Sequence, residues 1–316
     1  MKAEEGVGNR ASFSVWPHRL AVITVCATFP LLFIGGLVTS KGAGLAVPDW
    51  PTTFGYNMFL YPWSKMVGNI FYEHSHRLVA SAVGVLTIAL ALSLWLQERR
   101  KWLRWLGAFA LALVVLQGVL GGLRVTLLEQ SLAIVHASLA QAFFALVVSL
   151  ALFTSAEWRE QIAEPPLADY GRLRRLAAVT TGLIYLQVFF GAVLRHTGLR
   201  LDAHLLFAAL VTLHAVLLTV RIFKNHSDDL RLTRPALFLS ATLLVQLFLG
   251  TVSYLGKFTT ILRIPVDATV LFTTTHLAVG ALMLATSLVV TLRCYRYPTV
   301  AKSAAGQEVF TEQCSI

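Results

Sequence analysis

Long apolar runs recur eight times along the chain, near 20–39, 78–97, 103–123, 132–153, 175–194, 203–223, 236–256 and 269–292, with short polar segments between them. A helix of about 20 residues crosses roughly 30 Å of hydrocarbon, so each run predicts a membrane-spanning helix. An even number of crossings leaves both termini on one side. The first run is longer than a signal-peptide core and leads straight into a glycine-rich segment, which predicts an uncleaved first helix. The fold class expected is an all-α membrane protein with eight transmembrane helices.

Composition agrees. With 56% hydrophobic and 13% charged residues in 316 and a mean hydropathy of +0.69, the chain is too apolar for a soluble domain of this size. The net charge of +10 would suggest nucleic acid in a soluble protein, but 18 of the 26 Lys and Arg fall on the side of the termini. That bias places both termini in the cytoplasm of a bacterium, or in the matrix-equivalent compartment of an organelle, with a bacterial cell membrane favoured over a mitochondrial inner membrane. The clusters Arg99-Arg100-Lys101, Arg172/Arg174/Arg175 and Arg231/Arg234 then read as topology signals and lipid-headgroup contacts, not as a nucleic-acid patch. Cys26, Cys294 and Cys314 lie in or beyond spans, away from any outer loop, and read as unpaired thiols.

Polar residues inside this pattern carry the chemistry. His76, His136, His204 and His276 each lie at the same end of an apolar run, the outer end on the charge count. An ionisable group within a span costs a few kcal/mol, about 2.5–3.5 for the charged residues at mid-span, and by default marks a functional site. Four at one depth suggest paired axial ligands of buried cofactors.

An internal repeat decides which histidines pair. A glutamine stands four residues before a glycine in Gln117/Gly121, Gln187/Gly191 and Gln246/Gly250, with Leu31/Gly35 as the degenerate fourth copy. Residues 20–153 therefore match 175–292, which predicts two repeated four-helix bundles, over 1–160 and 170–300, followed by a tail at 301–316. His76 precedes Gln117 by 41 residues and His204 precedes Gln246 by 42, whereas the competing His214 would precede it by only 32. His214 remains an alternative ligand. His136 and His276 both begin the last helix of their half, the second after an insertion of about eleven residues. Two neutral imidazoles facing across a bundle hold a haem iron from both sides, while zinc would want further ligands that the second half does not offer. Gly35, Gly36, Gly121, Gly122 and Gly191 suit close helix packing or a flat macrocycle. Arg77, Arg124 and Arg195, near the outer helix ends, are candidate propionate contacts or interfacial anchors.

The halves differ where chemistry would differ. Glu73, His76 and Arg77 share one helix face, but Leu201 and Leu205 flank His204. Forty-one residues separate Gly35 from His76, against 13 between Gly191 and His204, so the first half alone has a long outer loop to cover its site. Glu73 is the candidate base, proton relay or electrostatic stabiliser; its structural alternative is a helix-start acid paired with Arg77.

Gly42-Ala43-Gly44-Leu45-Ala46-Val47-Pro48-Asp49-Trp50-Pro51, the Glu-x-x-His-Arg segment at 73–77, His136-Ala137 and Gly191-Ala192-Val193-Leu194-Arg195-His196-Thr197 together resemble the heme A synthase family over essentially all eight spans. The resemblance implies a haem b held by His204 and His276 and a substrate haem flanked by His76 and His136, with Arg77 beside it. It also implies Glu73 as catalytic carboxylate in oxidising the C8 methyl group of haem O to the formyl group of haem A, for cytochrome oxidase. Implied partners are haem O synthase, cytochrome oxidase assembly factors and an electron acceptor of unspecified identity. The sequence departs from the family pattern at Val47 and Thr53, where many members have cysteines, and at Leu205, where an arginine can follow the histidine. A non-catalytic di-haem electron carrier is the main rival reading, and a haem chaperone or transporter the third.

Overall fold

The structure is a computed structural model that describes residues 14–160 and 170–297. Nine α-helices occur among them: α1 (Trp16–Ser40), α2 (Asn69–Gln97), α3 (Lys101–Leu127), α4 (Gln130–Thr154), the short α5 (Ala156–Arg159), α6 (Tyr170–Thr197), α7 (Leu201–Asn225), α8 (Leu230–Phe258) and α9 (Val266–Arg296). All but α5 are long and apolar enough to cross a membrane. The tail at 301–316 and Cys314 lie outside the described residues.

Helix is the only local solution for such runs, because each backbone N–H and C=O must be satisfied within its own segment once water is absent. Side-chain hydroxyls obey the same rule. Thr24 and Thr28 donate to the Leu20 and Thr24 carbonyls at 2.7 and 2.6 Å, and Thr87 donates to Val83 at 2.8 Å. Each membrane-spanning helix extends beyond its apolar run, α2 furthest: it begins at Asn69, nine residues before the run predicted from 78. His76 is therefore well inside a helix. The insertion before His276 is divided between longer ends of α8 and α9 and a connector at 259–265, where α3 and α4 are joined by Leu128 and Glu129 alone.

Helix neighbours in the first half recur in the second. α1 packs on α2 and α4, and α3 on α2 and α4; α6 packs likewise on α7 and α9, and α8 on α7 and α9. The halves meet through α4 and α9, whose most apolar stretches are 56% and 50% buried, against 22–33% for the other spans. Each lends residues across the seam: Ala145 of α4 joins the core around Leu218, Ile222 and Leu239, while Ala281 and Ala285 of α9 join the core around Leu90, Leu103 and Phe144. Lipid is as apolar as these side chains, so close fit and polar contacts hold the helices together.

At the end of the bundle bearing the termini, ion pairs fasten the connectors. Glu98 is 3% exposed and bidentate with Arg100, and Arg293 bonds Glu157 at 2.9 Å and the Arg231 carbonyl at 2.7 Å.

Candidate functional site

Each glycine of the repeat faces a histidine of the following span. A Cβ built on Gly35, Gly121, Gly191 or Gly250 would come within 3.0–3.2 Å of Cε1 of His76, His136, His204 or His276, respectively. The missing side chain is what lets the Cε1 edge of the ring come this close to the neighbouring backbone. The glutamine one turn earlier reaches the same ring: Gln187 Nε2 and Gln246 Nε2 lie 3.4 Å from Nε2 of His204 and His276. With its amide oriented to satisfy both ends, Gln117 donates to His136 Nδ1 at 2.9 Å and accepts from the Ala140 N–H at 2.9 Å. Leu31 offers His76 no such partner.

In the second half the rings of His204 and His276 face each other at 6.3 Å between centroids. Two metal–imidazole bonds of about 2 Å, plus half a ring on either side, span roughly 6 Å, so one iron fits between them. They line a cavity of about 360 Å³ with Gln187, Gln246, Arg195 and Lys257. Seven buried polar atoms of cavity-lining residues lack a hydrogen-bond partner: Gln141 Oε1, Gln187 Oε1, Gln246 Oε1, Ser253 Oγ, Arg195 Nε, His204 Nδ1 and His276 Nδ1. Such a concentration is unusual, because buried polar groups are normally paired. A planar group with polar substituents, held by two imidazoles and facing two cations, fits this donor set. His214 takes no part in the lining; its Nδ1 lies 2.8 Å from the Leu210 carbonyl of its own helix.

The first half is built differently, around the segment 41–68. Arg77 gathers this loop: its Nη1 donates to the Asp49 and Thr52 carbonyls at 2.7 and 3.1 Å, and its Nη2 to the Val47 carbonyl at 2.8 Å and to Glu73 Oε1 at 2.9 Å. Glu73, 3% exposed, also accepts the Val47 N–H on Oε2 at 2.9 Å. Both carboxylate oxygens are thus fixed. Asp49 shapes the turn, taking the Thr52 hydroxyl at 2.6 Å and the Phe54 and Gly55 N–H groups at 2.8 and 2.9 Å. Partial burial opposes its charge, but these donors prevail and hold its pKa down at about 2. Trp50 then packs where Gly122 of α3 has no side chain, and Gly44 lies against Arg124. Thr53 is buried, with its hydroxyl 3.2 Å from His74 Nδ1. Of the two histidines of this half, His76 has a buried Nδ1 with no hydrogen-bond partner among the described residues, whereas His136 Nδ1 meets the Gln117 amide.

The two remaining arginines are placed unequally. Arg124 makes one long bond, 3.4 Å to the Gly44 carbonyl. Arg195 links the halves, donating from Nη2 to the Gly36 carbonyl at 2.5 Å and Ser40 Oγ at 2.6 Å, and from Nη1 to the Thr273 carbonyl at 3.5 Å. Sequence reading missed Gln141, Ser253 and Lys257 as cavity residues. A lysine in the last turn of a span and an amide five residues after His136 were the available signals.

The sequence profile described as cytochrome oxidase assembly protein (COX15-CtaA) matches residues 18–203, ending one residue before His204. The chain is also similar to proteins named Heme A synthase. That of Shouchella clausii is 30% identical over 188 residues, covering 58% of this chain and 60% of the relative. Those of Alkalihalophilus pseudofirmus and Bacillus licheniformis are each 29% identical, over 56% and 57% of this chain and 59% and 58% of their own lengths. The match thus spans about three fifths of these relatives. With more than half of its residues matched by the profile, including the whole Glu73–Arg77 and Asp49 assembly, the chain belongs to the COX15-CtaA family of cytochrome oxidase assembly proteins.

Proposed function

We propose that this protein is a heme A synthase, oxidising the C8 methyl group of haem O to the formyl group of haem A for cytochrome oxidase. The observation carrying the proposal is the contrast between the halves: a histidine pair with a cavity in one, and a fixed, buried carboxylate beside a histidine in the other. The names of the relatives support the same reading.

In this reading His204 and His276 hold haem b, which when bound supplies one-electron redox chemistry. Gly191 and Gly250 let the two rings approach the backbone, and the flanking glutamines restrict their rotation. His76 and His136 flank haem O. Glu73 stands ready on the same helix face as His76, oriented by Arg77 and the Val47 N–H, to accept a proton at Oε2 or to stabilise positive charge on the substrate. Arg77 acts through the loop, which covers the substrate and keeps water away. Arg124, least committed of the arginines, meets a substrate propionate, while Arg195 with Lys257 attracts those of haem b. Both termini are cytoplasmic, and both sites lie toward the outer face of a bacterial membrane.

The test is to express the chain with a haem O supply and identify the extracted pigments. Haem A or a hydroxylated haem O supports the enzyme. Haem B alone supports the rival, a di-haem electron carrier in which Glu73 serves only to fix Arg77 and the loop.

A further inference from the structure

The cavity between His204 and His276 is not enclosed by the C-terminal helices alone. α4, which carries His136, contributes Ala137 and Gln141 to the lining. The other buried polar residues of α4 are satisfied within their own helix: Ser138, Ser149 and Thr154 donate to the Ile134, Ala145 and Leu150 carbonyls at 2.8, 2.9 and 2.7 Å. Gln141 is the exception. It is 4% exposed, yet its Oε1 has no hydrogen-bond partner. An unpaired acceptor buried this deeply is costly, and an apolar side chain would fill the same seam without that cost. Its placement is explained if the negative end of its dipole acts on positive charge held in the cavity.

We infer that Gln141 is a contact of the group held between His204 and His276, supplied by the other half of the chain, and that it tunes that group's redox potential. The inference rests on the reading that this cavity takes a haem. The amide oxygen is the negative end of the side-chain dipole, and in the low-dielectric bundle it favours the more positive, oxidised iron. Because Ala137 directly follows His136, one stretch of α4 forms a wall of both sites.

The experiment is a redox titration of the haem spectrum of the purified full-length protein, comparing wild type with Gln141→Leu, Gln141→Glu and Gln141→Asn. Gln141→Leu is expected to keep the bis-histidine spectrum with a raised midpoint potential. Gln141→Glu should lower the potential. Gln141→Asn, whose amide is withdrawn by one methylene, should fall between wild type and Gln141→Leu. If Gln141→Leu does not fold, the opposite shifts of the glutamate and asparagine variants decide. Wild-type potentials in all folded variants would overturn the inference, including the case where only thermal stability falls, which is the mark of a packing role. Absence of any haem at His204 and His276 in the wild type would overturn the proposed function itself, a separate outcome from an unresponsive haem.

Discussion

Gly250 lies against His276 so closely that a single added carbon would stand 3.0 Å from the ring's Cε1. The same contact recurs between Gly191 and His204, at 3.2 Å, with glutamine one turn earlier in both cases. A repeat seen in the sequence as spacing is thus a repeated way of seating an imidazole. Gly250→Val should displace the ring and lower haem content at least tenfold while helix content by circular dichroism stays near wild type, since overpacking of this kind costs about 1–3 kcal/mol. Full haem content in the variant would show that the ring position is not critical.

The ligand assignment predicts a low-spin spectrum for the purified protein, because two nitrogen ligands leave no open iron position. His204→Ala should lose the haem b signal. His214→Ala should keep it, because His214 lies outside the cavity lining and turns its Nδ1 toward Leu210. The reverse outcome would mean that ligation follows the deeper histidine.

Glu73→Gln should leave haem b in place and cut haem A formation by about 10² or more, the size typical of a positioned acid or base. Haem O or a partly oxidised product should accumulate. Near wild-type turnover with the loop intact would reduce Glu73 to a partner of Arg77.

Asp49 gives the loop a defined acid limit. Its folded pKa of about 2 lies below the ordinary 3.8, so its charge stabilises the turn fully above that ordinary value. The contribution falls as the pH drops through about 2. Protease resistance of segment 41–68 should therefore hold at pH 5 in wild type and be lost toward pH 2, whereas Asp49→Asn should be cleaved faster already at pH 5. Equal resistance of the two proteins at pH 5 would show that the carboxylate does not organise the turn.

The charge bias predicts that a reporter fused after Ile316 is cytoplasmic and that one inserted near Lys65 is external. Opposite accessibility would move both proposed sites to the inner face.

How much of this was legible in the chain follows from the range of each interaction. Span number, helical class and the four histidines are local properties: hydrocarbon thickness fixes run length, and a polar residue in such a run stands out against its neighbours. The glutamine–glycine spacing was equally visible, as was the Glu73–Arg77 pair, since one helical turn dictates it. What glycine does for histidine was not, because the two belong to different helices and meet only when these pack. Sequence left His204 and His214 both open; packing turned one toward His276 and the other toward its own backbone. Arg77 read as a propionate contact because its partners, the carbonyls of Val47, Asp49 and Thr52, belong to a loop whose path no spacing specifies. Gln141 was silent in the sequence for the same reason. An amide in an apolar helix has no address until another bundle is placed against it, and only the seam between α4 and α9 assigned it to the cavity of the opposite half.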